Sequence, residues 1–160
     1  MAESVVSLRN AVRADLPSVI QLLADDELGK TREIVQEPPH ECYVTAFEVM
    51  QMGPNQILLV ADDGGRVVGC LQLSFIPGLT RKGMWRAQVE GVRVAKSHRG
   101  RGLGRALFEW VIAKAGERGC GLVQLTTDKA RPDALAFYEA LGFKASHEGM
   151  KLGLDIVPNS

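Results

Sequence analysis

Residues Ala95-Lys96-Ser97-His98-Arg99-Gly100-Arg101-Gly102-Leu103-Gly104 combine glycines at alternating positions with a cluster of basic side chains. That pattern suits a bound anion. Glycine lets backbone N–H groups approach phosphate oxygens, and a helix that starts here aims unpaired N–H groups and a positive dipole end at them. Lys96, His98, Arg99, Arg101 and Arg105 add local positive charge. Two familiar phosphate loops are excluded by spacing. No Gly-Lys-Ser/Thr ending follows these glycines, so the nucleoside-triphosphate loop is absent. A dinucleotide fingerprint counted from Gly100 and Gly102 needs its third glycine where Arg105 stands. From this segment alone, a basic turn without a ligand stays open.

The elements that must position the loop follow from hydrophobic spacing. Val5 to Val12 reads as a first strand. Asp15 is placed to cap a helix in which Leu16, Val19, Ile20 and Leu23 recur at helical intervals, with Pro17 in its first turn. Asp25 to His40 reads as an irregular connection, and Glu41 to Met50 as a second helix. Gln56 to Asp62 and Arg66 to Phe75 form a hairpin about Asp63-Gly64-Gly65. Trp85 to Val94 is the strand that runs into the glycines. Its halves disagree in parity, because Ala87 and Val89 are apolar at odd positions and Val92 and Val94 at even ones. Side chains alternate faces with period two, so the switch predicts a β-bulge near Glu90-Gly91. After the loop, Leu103, Ala106, Leu107, Trp110 and Val111 make one helical stripe. Leu122 to Thr127 reads as a strand, and Pro132 opens a helix stopped at Gly142. Phe143 to Ser146 and Met150 to Ile156 read as a closing pair of strands. The strand–helix–strand–helix order of the second half predicts an α/β chain with a parallel pair within a mixed sheet.

Composition bounds the remaining possibilities. The chain has 160 residues, 46% hydrophobic and 24% charged, ordinary for one globular domain over 1–160. Nineteen Lys and Arg balance nineteen Asp and Glu, so the basic excess expected of a nucleic-acid or anionic-membrane binder is missing. No apolar run exceeds five residues, far short of the roughly 20 needed to span a bilayer. The Met-Ala-Glu-Ser start has no signal-peptide pattern, and a cytoplasmic location is expected. Cys42, Cys70 and Cys120 are far apart, with no Cys-x-x-Cys pair or zinc spacing, so free thiols and no metal are expected.

With this context, Arg99-Gly100-Arg101-Gly102-Leu103-Gly104 resembles the Arg/Gln-x-x-Gly-x-Gly/Ala acyl-CoA loop of the GNAT family of N-acetyltransferases. Ala134-Leu135-Ala136-Phe137-Tyr138-Glu139-Ala140-Leu141-Gly142-Phe143 resembles that family's second signature, a helix ending in Leu-Gly-Phe. The likeness is strongest from Gln56 to Phe143 and favours small bacterial-type members that acetylate small amines.

The resemblance implies acetyl-CoA as cosubstrate. Backbone amides from Arg99 to Gly104, followed by Arg105, would hold its pyrophosphate. The backbone of Val92, Arg93 and Val94 would line its pantetheine arm, with the Val92 amide on the thioester carbonyl. Glu90, at the bulge, would accept the proton of the attacking ammonium, and Tyr138 would protonate the departing sulfur. Many members carry Asn after the fifth strand. Thr127, Asp128 and Lys129 stand there instead, which leaves Asp128 as a group for the substrate amine. Acidic Glu90, Asp128, Asp133 and the run Asp25-Asp26-Glu27 favour a cationic small-molecule amine, attacking directly in a ternary complex. A protein or peptide amine, or a non-catalytic acyl-CoA sensor, is the alternative. The resemblance also implies a strongly twisted mixed sheet with flanking helices, and it admits a homodimer, since small members of the family often pair. From the net charge and the short apolar runs, neither nucleic acid nor membrane is expected as partner.

Overall fold

The computed structural model describes residues 5–155. The chain divides into two compact units, one ending at Gln124 and one beginning at Leu125.

The first unit holds strands β1 (Val6–Asn10), β2 (Gln56–Asp63), β3 (Arg66–Ile76), β4 (Trp85–Val94) and, as far as Gln124, β5 (Cys120–Leu125). They form one sheet in the order β1-β2-β3-β4-β5. Pairing is antiparallel from β1 through β4. Helix α1 (Leu16–Ala24) follows β1, and short α2 (Gly29–Arg32) and longer α3 (Glu41–Met52) occupy the connection to β2. A one-turn segment, α4 (Thr80–Gly83), precedes β4, and α5 (Leu103–Glu117) carries the chain across to β5. A crossover of that length is what a parallel neighbour requires, so the sheet is mixed.

Register decides which residues share a face. Val60 faces Cys70 across β2 and β3, and both belong to the core beneath α1 with Leu16, Val19, Ile20 and Leu22. Ala61 pairs with Gly69 on the other face, where a Cβ on Gly69 would lie 3.5 Å from Leu103 of α5. Leu103, Leu107 and Val111 of the predicted α5 stripe are buried, Ala106 and Trp110 only partly, and Phe108, outside that stripe, is wholly buried.

Three expectations change. Asp15 stands at the N-terminus of α1 but makes no side-chain cap there. Instead its carboxylate takes both terminal nitrogens of Arg9, at 2.7 and 2.9 Å, and the Val12 amide at 2.7 Å. Arg9 also reaches Asp62 through Nε at 2.9 Å, so β1, β2 and the turn before α1 are tied through one guanidinium. The Arg9 hydrogen bond holds the Asp15 carboxyl below its ordinary value, against desolvation. A depressed folded pKa stabilises above the unfolded carboxylate pKa of about 3.9 and is lost as pH falls through the folded value. Asp15→Asn is therefore expected to cost about 2 kcal/mol at neutral pH. In denaturant titrations, the gap to wild type should close below about pH 4. A gap independent of pH would contradict the ionic origin.

The connection from Asp25 to His40 is less irregular than its composition suggests. Besides α2, Tyr43 donates to Glu33 at 2.7 Å and accepts from the Ile34 amide at 2.8 Å, which fastens the segment to α3.

The second unit contains α6 (Pro132–Ala140), as predicted, with Gly142 at φ +99° after it. The closing strands do not form: residues 143–155 carry no strand, and the rest of the expected second strand lies outside the described residues. Met150, Leu152 and Leu154 alternate along this stretch as a strand would, but they are exposed.

Candidate active site

The bulge is where parity places it. Gln72 faces Glu90 and Cys70 faces Arg93. Leu71 alone thus spans the two residues Gly91 and Val92. Gly91 adopts φ +61°, a conformation costly for any residue with a Cβ. Cys70 fills the gap from the β3 side: it is buried, and its thiol donates to the Gly91 carbonyl at 3.6 Å. Burial pushes that thiol up to about 12, against the pull of the Arg93 charge and amide.

The bulge has two consequences. Glu90 and Arg93, three residues apart, come to the same face, the one beneath α1. The second concerns backbone direction. The Ala95 amide donates to Val68 of β3 at 2.8 Å. Amides alternate direction along a strand, so those of Val94 and Val92 point away from β3. They are the groups an extended ligand arm could pair with. The Val94 carbonyl accepts from Arg99 Nε at 3.1 Å.

Glu90 is exposed, and its carboxylate makes no hydrogen bond or ion pair among the described residues. Arg93, a natural partner for it, turns instead to Asp26 at 3.6 Å and to the Val92 carbonyl at 2.9 Å. Lys96 pairs with Asp25 at 3.6 Å. The acidic run after α1 therefore does lie over β4, but two of its charges are matched by cations, and it does not offer them to a cationic substrate. Its remaining member, Glu27, pairs with Lys30 at 2.9 Å.

At the loop, Gly100 and Gly102 have φ +74° and +80°, and Gly102 is the N-cap of α5. A Cβ on either would meet nothing within 4 Å, so the space over them is open to a ligand. The first α5 bond runs from the Ala106 amide to Gly102 at 3.0 Å, leaving the amides of Leu103, Gly104 and Arg105 without intrahelical partners. Arg99, Arg101 and Arg105 are exposed around them. His98 departs from the expectation that it adds charge to the ligand side. Its ring is buried, with Nε2 2.7 Å from Asp63 and Nδ1 2.7 Å from Ser97. It anchors the turn before the loop to the end of β2. The pairing is invisible in sequence because residues 63 and 98 meet only through the sheet.

Replacing Gly102 with Val is expected to weaken acetyl-CoA binding tenfold or more, about 1.4 kcal/mol. A branched side chain strains φ +80° and fills the open space. Calorimetry giving unchanged affinity in a folded variant would remove the loop from the site.

Tyr138 and Asp128 lie in the second unit. Tyr138 is half-buried in α6, its ring edge-on to Phe137 at 5.4 Å and to Phe143 at 6.0 Å. Asp128 is exposed and accepts from the Ala130 amide at 3.0 Å, holding the turn that leads into α6. Asp133 occupies the first turn of α6, where negative charge complements the helix dipole. No group of three or more His, Cys, Asp or Glu among the described residues could hold a metal ion.

Comparison with known proteins adds a second line of observation. A model of the acetyltransferase (GNAT) family matches residues 17–143. Glucosamine 6-phosphate N-acetyltransferase of Trypanosoma brucei brucei is 39% identical over 90 residues, which span 56% of this chain and 59% of that protein. Aminoalkylphosphonate N-acetyltransferase of Salmonella typhimurium is 30% identical over 143 residues, 89% of this chain and 88% of the relative. The crystal structure of a transcriptional regulator from Bacillus halodurans C-125 superposes with a TM-score of 0.91 at 51% identity, covering 94% of this chain and 100% of the other.

Proposed function

The chain belongs to the GNAT acetyltransferase family, and on that premise we propose that it transfers the acetyl group of acetyl-CoA to a primary amine of a small molecule. The observation that carries this reading is the continuous path from the bulge at Gly91, through the outward amides of Val92 and Val94, to the glycine loop at the head of α5. Such a path offers hydrogen bonds to an extended arm and to phosphates in one stretch of chain. The family match crosses both compact units, which supports reading 1–160 as a single N-acetyltransferase domain.

In this reading the amides of Arg99 to Gly104 hold the pyrophosphate, flanked by Arg101 and Arg105. The Val92 amide donates to the thioester oxygen as negative charge grows there. Glu90, exposed at the bulge, takes a proton from the ammonium directly or through water. The amine nitrogen then bonds to the acetyl carbon, the carbon–sulfur bond breaks, and Tyr138 gives its phenolic proton to the sulfur, while the second proton of the nitrogen passes through water to restore the phenol. No acyl-enzyme is needed: Cys70 is buried with a raised pKa, and burial also raises that of Cys120.

The names of the relatives, which concern glucosamine 6-phosphate and aminoalkylphosphonate, support a small-molecule acceptor over a peptide. Matched charges at Asp25 and Asp26 weaken the case for a polycation. A panel of amino sugars, aminophosphonates, polyamines, amino acids and short peptides, assayed by acetyl-CoA-dependent thiol release, tests the reading. Turnover confined to small molecules supports it, and turnover confined to peptides replaces it.

The similarity to the transcriptional regulator of Bacillus halodurans C-125 favours one other reading, a non-catalytic acyl-CoA sensor. Tight acetyl-CoA binding without thiol release on any amine would establish that alternative. The expected homodimer draws support from the exposed Met150, Leu152 and Leu154. Light scattering decides it: a dimer mass supports pairing, and a monomer mass excludes it.

A further inference from the structure

The face of the sheet that carries Glu90 is not uniformly apolar. Beneath α1 it is core, with Val60 and Cys70. Beyond them the register lines up side chains of one kind. Gln72 of β3 faces Glu90 of β4, and Ser74 of β3 stands between Gln56 of β2 and Gln88 of β4. Gln124 of β5 completes the row, its Nε2 donating to Gln88 Oε1 at 2.7 Å. Gln72, Ser74, Gln88 and Gln124 are half-buried, so the row is neither closed core nor fully solvated surface.

The chemistry of the row is selective. The Gln88–Gln124 bond uses one acceptor of Gln88 and one donor of Gln124, so the pair presents an NH2 group beside a free carbonyl oxygen. The Gln72 amide makes no hydrogen bond among the described residues and offers both functions again. Matched donors and acceptors without charge fit hydroxyl groups, which donate and accept at once. They give little to an alkyl chain, whose burial would leave half-buried amides unpaired. Gln88 and Glu90 are two residues apart on one strand face, about 7 Å, within the span of a pyranose ring and its substituents.

We propose that Gln72, Gln88 and Gln124 form the acceptor floor of the site and select a polyhydroxylated amine of the amino-sugar class, holding its hydroxyls so that the amine lies at Glu90. The inference rests on the acetyltransferase reading and names the substrate class within it.

The test compares glucosamine with cyclohexylamine, which keeps a six-membered ring and the amine but lacks the hydroxyls. In the wild-type protein kcat/KM is expected to favour glucosamine at least tenfold. In Gln88→Leu, and separately in Gln124→Leu, that ratio is expected to fall at least tenfold, through KM for glucosamine more than through kcat. Wild-type specificity needs no variant, so the inference stays testable if a substitution impairs folding. Equal rates on the two amines, or a ratio unmoved in both folded variants, would overturn the floor while leaving acetyl transfer intact. Absence of thiol release with every amine would instead overturn the acetyltransferase reading on which it rests.

Discussion

Replacing Tyr138 with Phe is expected to lower kcat about 100-fold and to leave melting temperature and acetyl-CoA affinity unchanged. Positioned acid–base groups contribute about 10²–10⁴-fold. A thiol of pKa near 8.5 is already a fair leaving group, which places the effect at the low end of that range. A phenol of ordinary pKa about 10 keeps its proton at neutral pH and has it to give. The substitution retains the ring, and with it the edge-on contacts to Phe137 at 5.4 Å and Phe143 at 6.0 Å. Loss of turnover therefore reads the hydroxyl and not the packing. If turnover survives while the melting temperature falls, Tyr138 is a structural residue of α6 and water protonates the sulfur.

Glu90→Gln is expected to lower kcat by a similar factor, about 100-fold near neutral pH, with the deficit shrinking as pH rises. The reason lies in the substrate. An alkylammonium with pKa about 10.4 is almost wholly protonated at neutral pH and needs a base, whereas in alkali more of it is already free. Glutamine keeps the size and the strand position of Glu90 opposite Gln72, so the bulge persists. A pH–rate profile of unchanged shape and height would return Glu90 to a structural role and make Asp128 the next base to test. An unchanged profile in both variants would leave the proton to solvent.

These two residues also show what the order of amino acids can and cannot reveal. The bulge beside Glu90 is legible because it is a break in a two-residue period, a property of ten consecutive residues. The glycine loop and the amphipathic stripe of α5 are local in the same sense. What failed to show were properties that depend on pairing across the fold. The thiol of Cys70 inside the bulge, the Asp63–His98 anchor and the Arg9–Asp15–Asp62 tie each join residues that only the sheet brings together. The acidic run after α1 was legible as charge, but its neutralisation by Arg93 and Lys96 required knowing that it lies over β4. The glutamine floor is hidden for the same reason, since its members come from separate strands and align only through register. Met150, Leu152 and Leu154 alternate as strand residues would, yet residues 143–155 form no strand: a period of two supplies a face, not a partner.

In the proposed reaction an amine joins the acetyl group of acetyl-CoA within one ternary complex. Initial rates of thiol release, measured with acetyl-CoA and the best amine varied together, distinguish this route from its rivals. Direct transfer gives intersecting double-reciprocal lines and one thiol released for each amine acetylated, as counted by mass spectrometry of the product. Parallel lines, thiol release that does not require the amine, or release without an acetylated product would contradict it.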